Sequence, residues 1–139
     1  IPAGFLKTLV NPHLNWLYET EPGEGTAGRN IATPRGKTLG GSSSINGHIY
    51  NRGQRLDFDT WAQMGNRGWS FADVLPYFRR SERRVGEGDD TYRGRDGELV
   101  ITDIDKPDPI CDAFIEAAGQ VGIPKTTDVN GPKQDGAGY

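Results

Sequence analysis

Residues 34–50, which read PRGKTLGGSSSINGHIY, contain the groups best suited to binding an anionic ligand. Gly40 and Gly41 let backbone N–H groups approach a ligand closely, and the three serines that follow offer hydroxyl donors at the start of a short helix. Arg35 and Lys37 add positive charge nearby. The segment suits a phosphate group, but an ordinary glycine- and serine-rich turn between two strands explains the same composition equally well.

The end of this segment suits a different kind of ligand group. Gly47 lies between Asn46 and His48, so that backbone and side-chain hydrogen-bond donors come together. Donors in this arrangement can meet the edge of a planar ring. We therefore keep His48 as a candidate binding residue, although a lone histidine is more often structural.

A second glycine motif matches a well-known pattern but stands in the wrong context. Gly23, Gly25 and Gly28 fit the dinucleotide-binding pattern G-x-G-x-x-G. That pattern binds a pyrophosphate only where a strand is followed by a helix. Here Pro34 follows closely and disfavours a helix, so we interpret the motif as a surface loop.

The acidic residues do not form a convincing metal site. Asp103, Asp105 and Asp108 are spaced like part of a calcium loop, but Pro107 and Phe114 occupy positions that such a loop needs for other residues. The charged residues 82–96 are typical of a solvated surface. We predict no metal site.

The nucleophiles and bases are equally sparse. No serine lies in a G-x-S-x-G elbow, and His13 and His48 have no neighbouring Cys or His. Cys111 lies on an apolar helix face, where it is expected to be part of the core, and a single cysteine excludes an internal disulfide. The sequence therefore predicts no catalytic residue within this segment.

Composition limits the classes of partner. The chain has 139 residues, with 16 Lys and Arg against 19 Asp and Glu, so its net charge of -3 gives no general attraction to nucleic acid. The 20 Gly and 9 Pro indicate a loop-rich protein with a small core. Apolar runs are too short to span a membrane, and we expect a cytoplasmic protein, with peripheral membrane association as the alternative.

The local patterns predict short strands and three longer helices. Strands are expected at residues 15–20, 29–33 and 99–102, and a short helix capped by Ser42, Ser43 or Ser44. Residues 54–85 are expected to be helical, with Asp57 as one N-cap and Ser70 as another, the latter in a capping box with Asp73. A last helix is predicted after Asp108-Pro109, with an apolar face formed by Ile110, Phe114, Ala117, Ala118 and Val121.

Residues 34–53 closely resemble the first signature of the glucose–methanol–choline (GMC) oxidoreductases, particularly the choline dehydrogenase branch. The likeness continues through residues 57–61, 68–78, 94–99 and 128–138, in the order that this branch has them. The resemblance implies a mixed α/β segment of the GMC FAD-binding fold without its N-terminal βαβ unit. It also implies an internal piece of a longer chain.

The resemblance further implies FAD as cofactor and hydride transfer from an alcohol carbon to flavin N5. By position, Leu39, Gly40, Gly41 and Ser42 correspond to the flavin-binding loop, whereas Asn46, Gly47, His48 and Ile49 lie along the flavin ring. In some members a histidine of the serine-rich turn is bonded covalently to FAD. Ile45 stands at that position here, so non-covalent FAD is expected.

The resemblance also suggests a division of the chain and its partners. Residues 1–53 correspond to part of the FAD-binding domain, and residues 54–139 to a segment that bridges it to the substrate domain. The partners implied are a small alcohol, with choline as the first choice, and the rest of the parent chain. The catalytic base of the family lies outside this segment, so the segment alone is expected to be inactive. A non-catalytic module of the same family and an unrelated phosphate-binding domain are the alternatives.

Overall fold

The structure, a computed structural model, describes residues 4–139. Contacts divide the chain into two compact units, of which the first extends to Ile49 and the second runs from Tyr50 to Tyr139. The first three residues of segment 1–53, which the resemblance assigns to the FAD-binding domain, lie outside the described residues.

The first unit is built from short elements. It contains one helical turn, α1 (Phe5–Thr8), and two antiparallel strands, β1 (Tyr18–Glu19) and β2 (Ala32–Thr33). Both strands lie inside the predicted ranges but are shorter. Leu17 interrupts the first one because its φ of +56° is not extended.

The second unit begins with two helices that pack on each other. Helix α2 (Arg55–Gln63) begins earlier than predicted, because Gln54 is its N-cap and Asp57 is not. The Asp57 carboxylate instead accepts a hydrogen bond from the backbone N–H of Gln54, at 2.7 Å, from within the first turn. A negative charge in that turn also favours the helix dipole.

Helix α3 (Phe71–Ser81) confirms the predicted capping box. The Ser70 hydroxyl oxygen accepts a hydrogen bond from the Asp73 N–H, and the Asp73 carboxylate accepts one from the Ser70 N–H. The helix continues through Pro76, which lies beyond its first turn. Phe71 is buried, and three further apolar residues at helical spacing, Val74, Leu75 and Phe78, are half-buried.

Aromatic side chains form the contact between α2 and α3. Phe58 and Phe71 are buried with their ring centroids 6.3 Å apart, and Phe78 meets Phe58 edge-on at 5.6 Å. Edge-on aromatic pairs stabilise a contact beyond the area that they bury. This small cluster is the main apolar packing that we find between the two helices.

One strand of the second unit was not predicted from the sequence. Residues 82–84, expected to be helical, form β3 (Glu82–Arg84), which pairs in parallel with β4 (Leu99–Ile101). The second of these strands confirms the prediction for residues 99–102. Three consecutive charged residues carry no strand signal, and they adopt this conformation because Glu82 and Arg84 are buried among ion pairs.

A buried ion network surrounds Glu82, whose side chain is 0% exposed. One carboxylate oxygen pairs with Arg52, and the other lies 2.5 Å from Nη2 of Arg93. Nη1 of Arg93 in turn lies 3.1 Å from Asp128. The network thus connects four segments of the chain, those of Arg52, Glu82, Arg93 and Asp128. The opposite charges offset part of the cost of burying each ion.

Burial lowers the pKa of Arg93 below its ordinary value, and the nearby carboxylates of Asp128 and Glu82 act in the opposite direction. Arg52 is held further by hydrogen bonds of both its backbone and its side chain. Its N–H donates to Oδ1 of Asn130 at 2.8 Å, and its Nη1 donates to the carbonyl of Tyr92 at 2.6 Å. The chain that enters the second unit is therefore held at Arg52.

Helix α4 (Pro109–Gln120) confirms the predicted start, because the Asp108 side chain accepts a hydrogen bond from the Ile110 N–H. Its burial differs from the prediction. Ile115 and Ala118 are buried, whereas most of the predicted apolar face is exposed. Cys111 is also exposed, so the prediction that it is part of a core is wrong.

None of the helices among residues 4–139 has the length and apolar character needed to cross a bilayer. The same described residues contain no group of three or more His, Cys, Asp or Glu side chains placed to hold a metal ion. Asp103 and Asp108, two members of the calcium-like pattern, instead pair with Arg84 and cap α4.

Candidate functional site

The candidate site is the loop of residues 36–49 in the first unit, and a buried asparagine anchors its start. Asn15 is 2% exposed. Its Oδ1 accepts hydrogen bonds from the N–H groups of Leu17 and Arg35, and its Nδ2 donates to the carbonyl of Leu9 at 2.6 Å. A backbone bridge between Asn15 and Gly36 then fixes the point at which the loop begins.

Glycines allow the loop to fold back on itself. A Cβ on Gly36 would overlap the carbonyl oxygen of Gly41, so the two backbone segments approach too closely for any side chain. Gly40 and Gly41 have φ values of +86° and +57°, which L-residues adopt only with strain. The two adjacent glycines thus form a tight bend.

The serine turn confirms the predicted short helix but not its caps. Gly41–Ser44 form a single 3₁₀ turn whose N-cap is Gly40. The Ser44 hydroxyl donates to the carbonyl of Leu39 at 2.8 Å, and Ser42 Oγ accepts a bond from the Gly36 N–H at 3.2 Å. Two of the three hydroxyls therefore brace the bend, and the Ser42 proton stays available to a ligand.

The residues after the turn divide into one buried anchor and an exposed arm. Ile45 is 3% exposed and holds the loop against the first unit. Asn46 then makes a local turn, in which its Oδ1 accepts a hydrogen bond from the His48 N–H at 2.9 Å. His48 has a φ of +57°, an unusual value for a residue with a Cβ.

The predicted binding residues are largely open to solvent. Leu39 is 97% exposed and Ile49 is 88% exposed, so the loop presents two large aliphatic side chains on its surface. Within residues 4–139, the backbone N–H groups of Asn46, Gly47 and Ile49 have no hydrogen-bond acceptor. The loop therefore combines apolar surface with free donors, as a site for a ring-shaped ligand with acceptors on its edge would.

The two cations expected near the loop are engaged locally. Arg35 donates to the carbonyl of Pro34 at 2.7 Å, and the Lys37 ammonium lies 4.8 Å from the centre of the Trp16 ring. The other glycine motif, which contains Gly23 and Gly25, is an exposed 3₁₀ turn that leads into a strand rather than a helix. Its interpretation as a surface loop agrees with this geometry.

Asn15 is the residue of this site that sequence reasoning missed. An asparagine next to an aromatic segment gives no signal that its side chain will bond three backbone groups. The pairing of β1 with β2 brings Arg35 beside Asn15. The role of Asn15 therefore becomes evident only from the structure.

A comparison with family models places this geometry in a known context. Residues 9–139 match the GMC oxidoreductase model. The chain belongs to the GMC oxidoreductase family. The resemblance inferred from residues 34–53 is thereby confirmed, and with it an oxidoreductase family that binds FAD.

The relatives of this GMC chain include oxygen-dependent choline dehydrogenases. The one from Brucella ovis is 49% identical over 138 residues, which are 99% of this chain and 25% of that protein. The chain thus spans about a quarter of the length of the curated relatives that it matches.

Solved structures agree with the fold. The pyridoxine 4-oxidase from Mesorbium loti superposes with a TM-score of 0.84 and 34% identity, over 97% of this chain and 26% of that one. An FAD-dependent oxidoreductase from Chaetomium thermophilum gives a TM-score of 0.74 and 29% identity, over 89% of this chain and 25% of that one. The expected mixed helix-and-strand GMC fold is confirmed.

Proposed function

We propose that this chain is part of a FAD-dependent enzyme that oxidises an alcohol, and that residues 36–49 contact the flavin. One observation carries the proposal: in a GMC family member, the loop at the signature exposes Leu39 and Ile49 beside backbone N–H groups that have no acceptor among residues 4–139. In this assignment residues 1–53 belong to the FAD-binding domain, and residues 54–139 bridge it to the substrate domain.

The loop offers space where such a group would lie. A Cβ added to Gly41 would meet nothing within 4 Å, and one added to Gly47 would meet only Cδ1 of Ile49 at 3.9 Å. Any side chain at these two positions would occupy that open space. The proposed contacts are made by two sets of residues, Leu39, Gly40, Gly41 and Ser42 at the bend, and Asn46, Gly47, His48 and Ile49 along the ring.

A bound flavin supplies a hydride acceptor at N5 for the alcohol carbon. The role of this chain is to bind and orient the flavin ring through backbone and side-chain N–H donors. Donors aimed at the ring edge favour the form that carries negative charge, because they stabilise that charge without reorganising. We assign no general base to the described residues.

We propose that the flavin is held without a covalent bond. The position at which some family members have a covalently bonded histidine is Ile45. Its side chain has no nucleophilic atom and is buried in the loop. Both properties support a non-covalent cofactor.

The proposed substrate is a small alcohol, and choline is the first to test. This choice rests on the relatives named as choline dehydrogenases, of which the chain spans only a quarter. Pyridoxine, after which a structural relative is named, is the natural second compound.

The test is to purify the full-length protein and measure its flavin. Bound oxidised flavin gives an absorbance band at about 450 nm. Acid precipitation should release the yellow colour into the supernatant, whereas a covalent flavin would stay in the pellet. Bleaching of the band by choline under anaerobic conditions would support the substrate assignment, and a protein without flavin after reconstitution with FAD would overturn the proposal.

A further inference from the structure

Helix α4 carries a row of apolar side chains that the described structure leaves uncovered. Ile110 is 75% exposed, Phe114 is 70% exposed and Val121, the residue that caps the helix, is 76% exposed. Ala117, between the last two, is also exposed. Steps of three and four residues place these four side chains next to one another along the helix. We call them the α4 row.

The α4 row is one part of a wider apolar face of the helix. The buried side chains of Ile115 and Ala118 lie directly beside the row, whereas Asp112 and Glu116 lie on the other side of the helix. The described residues therefore cover only a part of the apolar face. Single exposed apolar side chains are common on protein surfaces, but a continuous apolar patch is typical of a contact surface.

The remaining support of α4 comes mainly from polar contacts near its first turn. The Asp108 side chain caps the helix, and the Tyr139 hydroxyl donates to the Asp112 carboxylate at 2.7 Å. Among residues 4–139, α4 makes no extensive contact with another helix or strand. Because a helix of 12 residues is only marginally stable on its own, packing of its apolar face must contribute much of its stability.

The partner that fits best is another part of the same polypeptide. The chain spans about a quarter of the length of its curated relatives, so most of the polypeptide that could cover the row lies outside these 139 residues. A second copy of the chain fits less well. A stable dimer needs about 20 residues from each partner, whereas the row offers four side chains.

We infer that the α4 row is an internal interface of the full-length protein, covered by an apolar surface of the parent chain outside these 139 residues. That surface must lack unpaired charges, because the row has no charged side chain that could pair with them. The inference adds a contact surface to the bridging role that the proposed function gives residues 54–139. It holds whether or not residues 36–49 contact a flavin.

Thiol labelling of the full-length protein tests this inference. Ile110→Cys and Val121→Cys place a thiol at either end of the row, and Glu116→Cys, on the polar side of the same helix, is the matched control. Each variant also carries Cys111→Ser, so that α4 contains a single thiol. The rate of reaction with N-ethylmaleimide is read on the α4 peptide by mass spectrometry. Division by the rate in urea removes differences in intrinsic reactivity.

The thiols of Ile110→Cys and Val121→Cys should react at about a tenth of the Glu116→Cys rate or less, because the covering surface must open before the reagent reaches them. This protection should not change when the protein is diluted, since the partner belongs to the same polypeptide.

Two outcomes overturn the inference. One is reaction of either row thiol, in a folded variant, at the rate of Glu116→Cys, because the row is proposed to be covered along its whole length. The other is protection that disappears on dilution, because a second copy would then be the partner. Circular dichroism shows which variants are folded, and the flavin content of the same samples tests the proposed function separately.

Discussion

The carboxylate of Glu82 is fully buried and forms an ion pair with Arg52, a residue 30 positions earlier in the chain. Arg93 lies against the other oxygen of the same carboxylate. One buried carboxylate is therefore the ion-pair partner of two buried guanidinium groups. Its removal should make the burial of both guanidinium groups less favourable.

We expect Glu82→Gln to lower the free energy of unfolding by about 3–5 kcal/mol, because it leaves Arg52 and Arg93 buried without their shared partner. Urea denaturation of the full-length protein measures the effect. Arg83→Gln is the matched control, since Arg83 lies on the same strand but is exposed, and it should change stability by less than about 0.5 kcal/mol. Equal effects of the two substitutions would contradict the role of the network.

Asn15 gives a second stability prediction. Asn15→Ala removes one buried donor and one buried acceptor that together satisfy three backbone groups, so we expect a loss of about 2–3 kcal/mol. Asn30→Ala removes a single exposed hydrogen bond on the neighbouring strand region and should be nearly neutral. The comparison is made by thermal unfolding, and a neutral Asn15→Ala would show that these bonds do not stabilise the first unit.

These two residues also show why the sequence predicted some features and not others. The capping box of Ser70 and the cap at Asp108 involve residues within three positions, and such local chemistry is visible in the sequence. Strand β3 depends on bonds of Glu82 with residues 12 and 30 positions away, and its local pattern is polar. The role of Asn15 depends on Arg35, which is 20 positions away. The exposure of Cys111 likewise depends on what packs against α4, which periodicity alone does not specify.

For the candidate site the same distinction holds. The bend at Gly40 and Gly41 was predictable, because two adjacent glycines followed by three serines favour a turn. The positive φ of His48 was not predictable, because a histidine does not by itself favour that conformation.

Tyr139 provides a test of a local charge interaction. Its hydroxyl donates to Asp112 at 2.7 Å, and this hydrogen bond, followed by partial desolvation and the Asp112 charge, raises the pKa of Tyr139 to about 12. Because the neutral phenol is the form that is stabilised, the interaction contributes fully below the unfolded pKa of about 10 and is lost as the pH rises towards 12.

The measurement is an ultraviolet difference titration against Tyr139→Phe. At about pH 11 an ordinary tyrosine is mostly ionised, whereas Tyr139 should still be mostly neutral. Asp112→Asn should return its titration towards the ordinary range. If Tyr139 ionised at the same pH in the wild-type protein and in Asp112→Asn, the hydrogen bond to Asp112 would not be the cause of its raised pKa.

Two glycines distinguish the proposed flavin loop from the dinucleotide-like motif. Gly36→Ala would drive a Cβ into the Gly41 carbonyl oxygen, so the bend must open. The proposed contacts of residues 39–42 with the cofactor would then be disturbed. A Cβ on Gly25 would meet nothing within 4 Å, and Gly25 needs no unusual φ.

We expect full-length protein with Gly36→Ala to be purified with a small fraction of the wild-type flavin, and full-length protein with Gly25→Ala to be purified with all of it. The ratio of flavin absorbance to protein measures both. If Gly25→Ala lost flavin as strongly as Gly36→Ala, the exposed turn at Gly23–Gly28 would have to be assigned to cofactor binding after all, because backbone strain could not explain its loss.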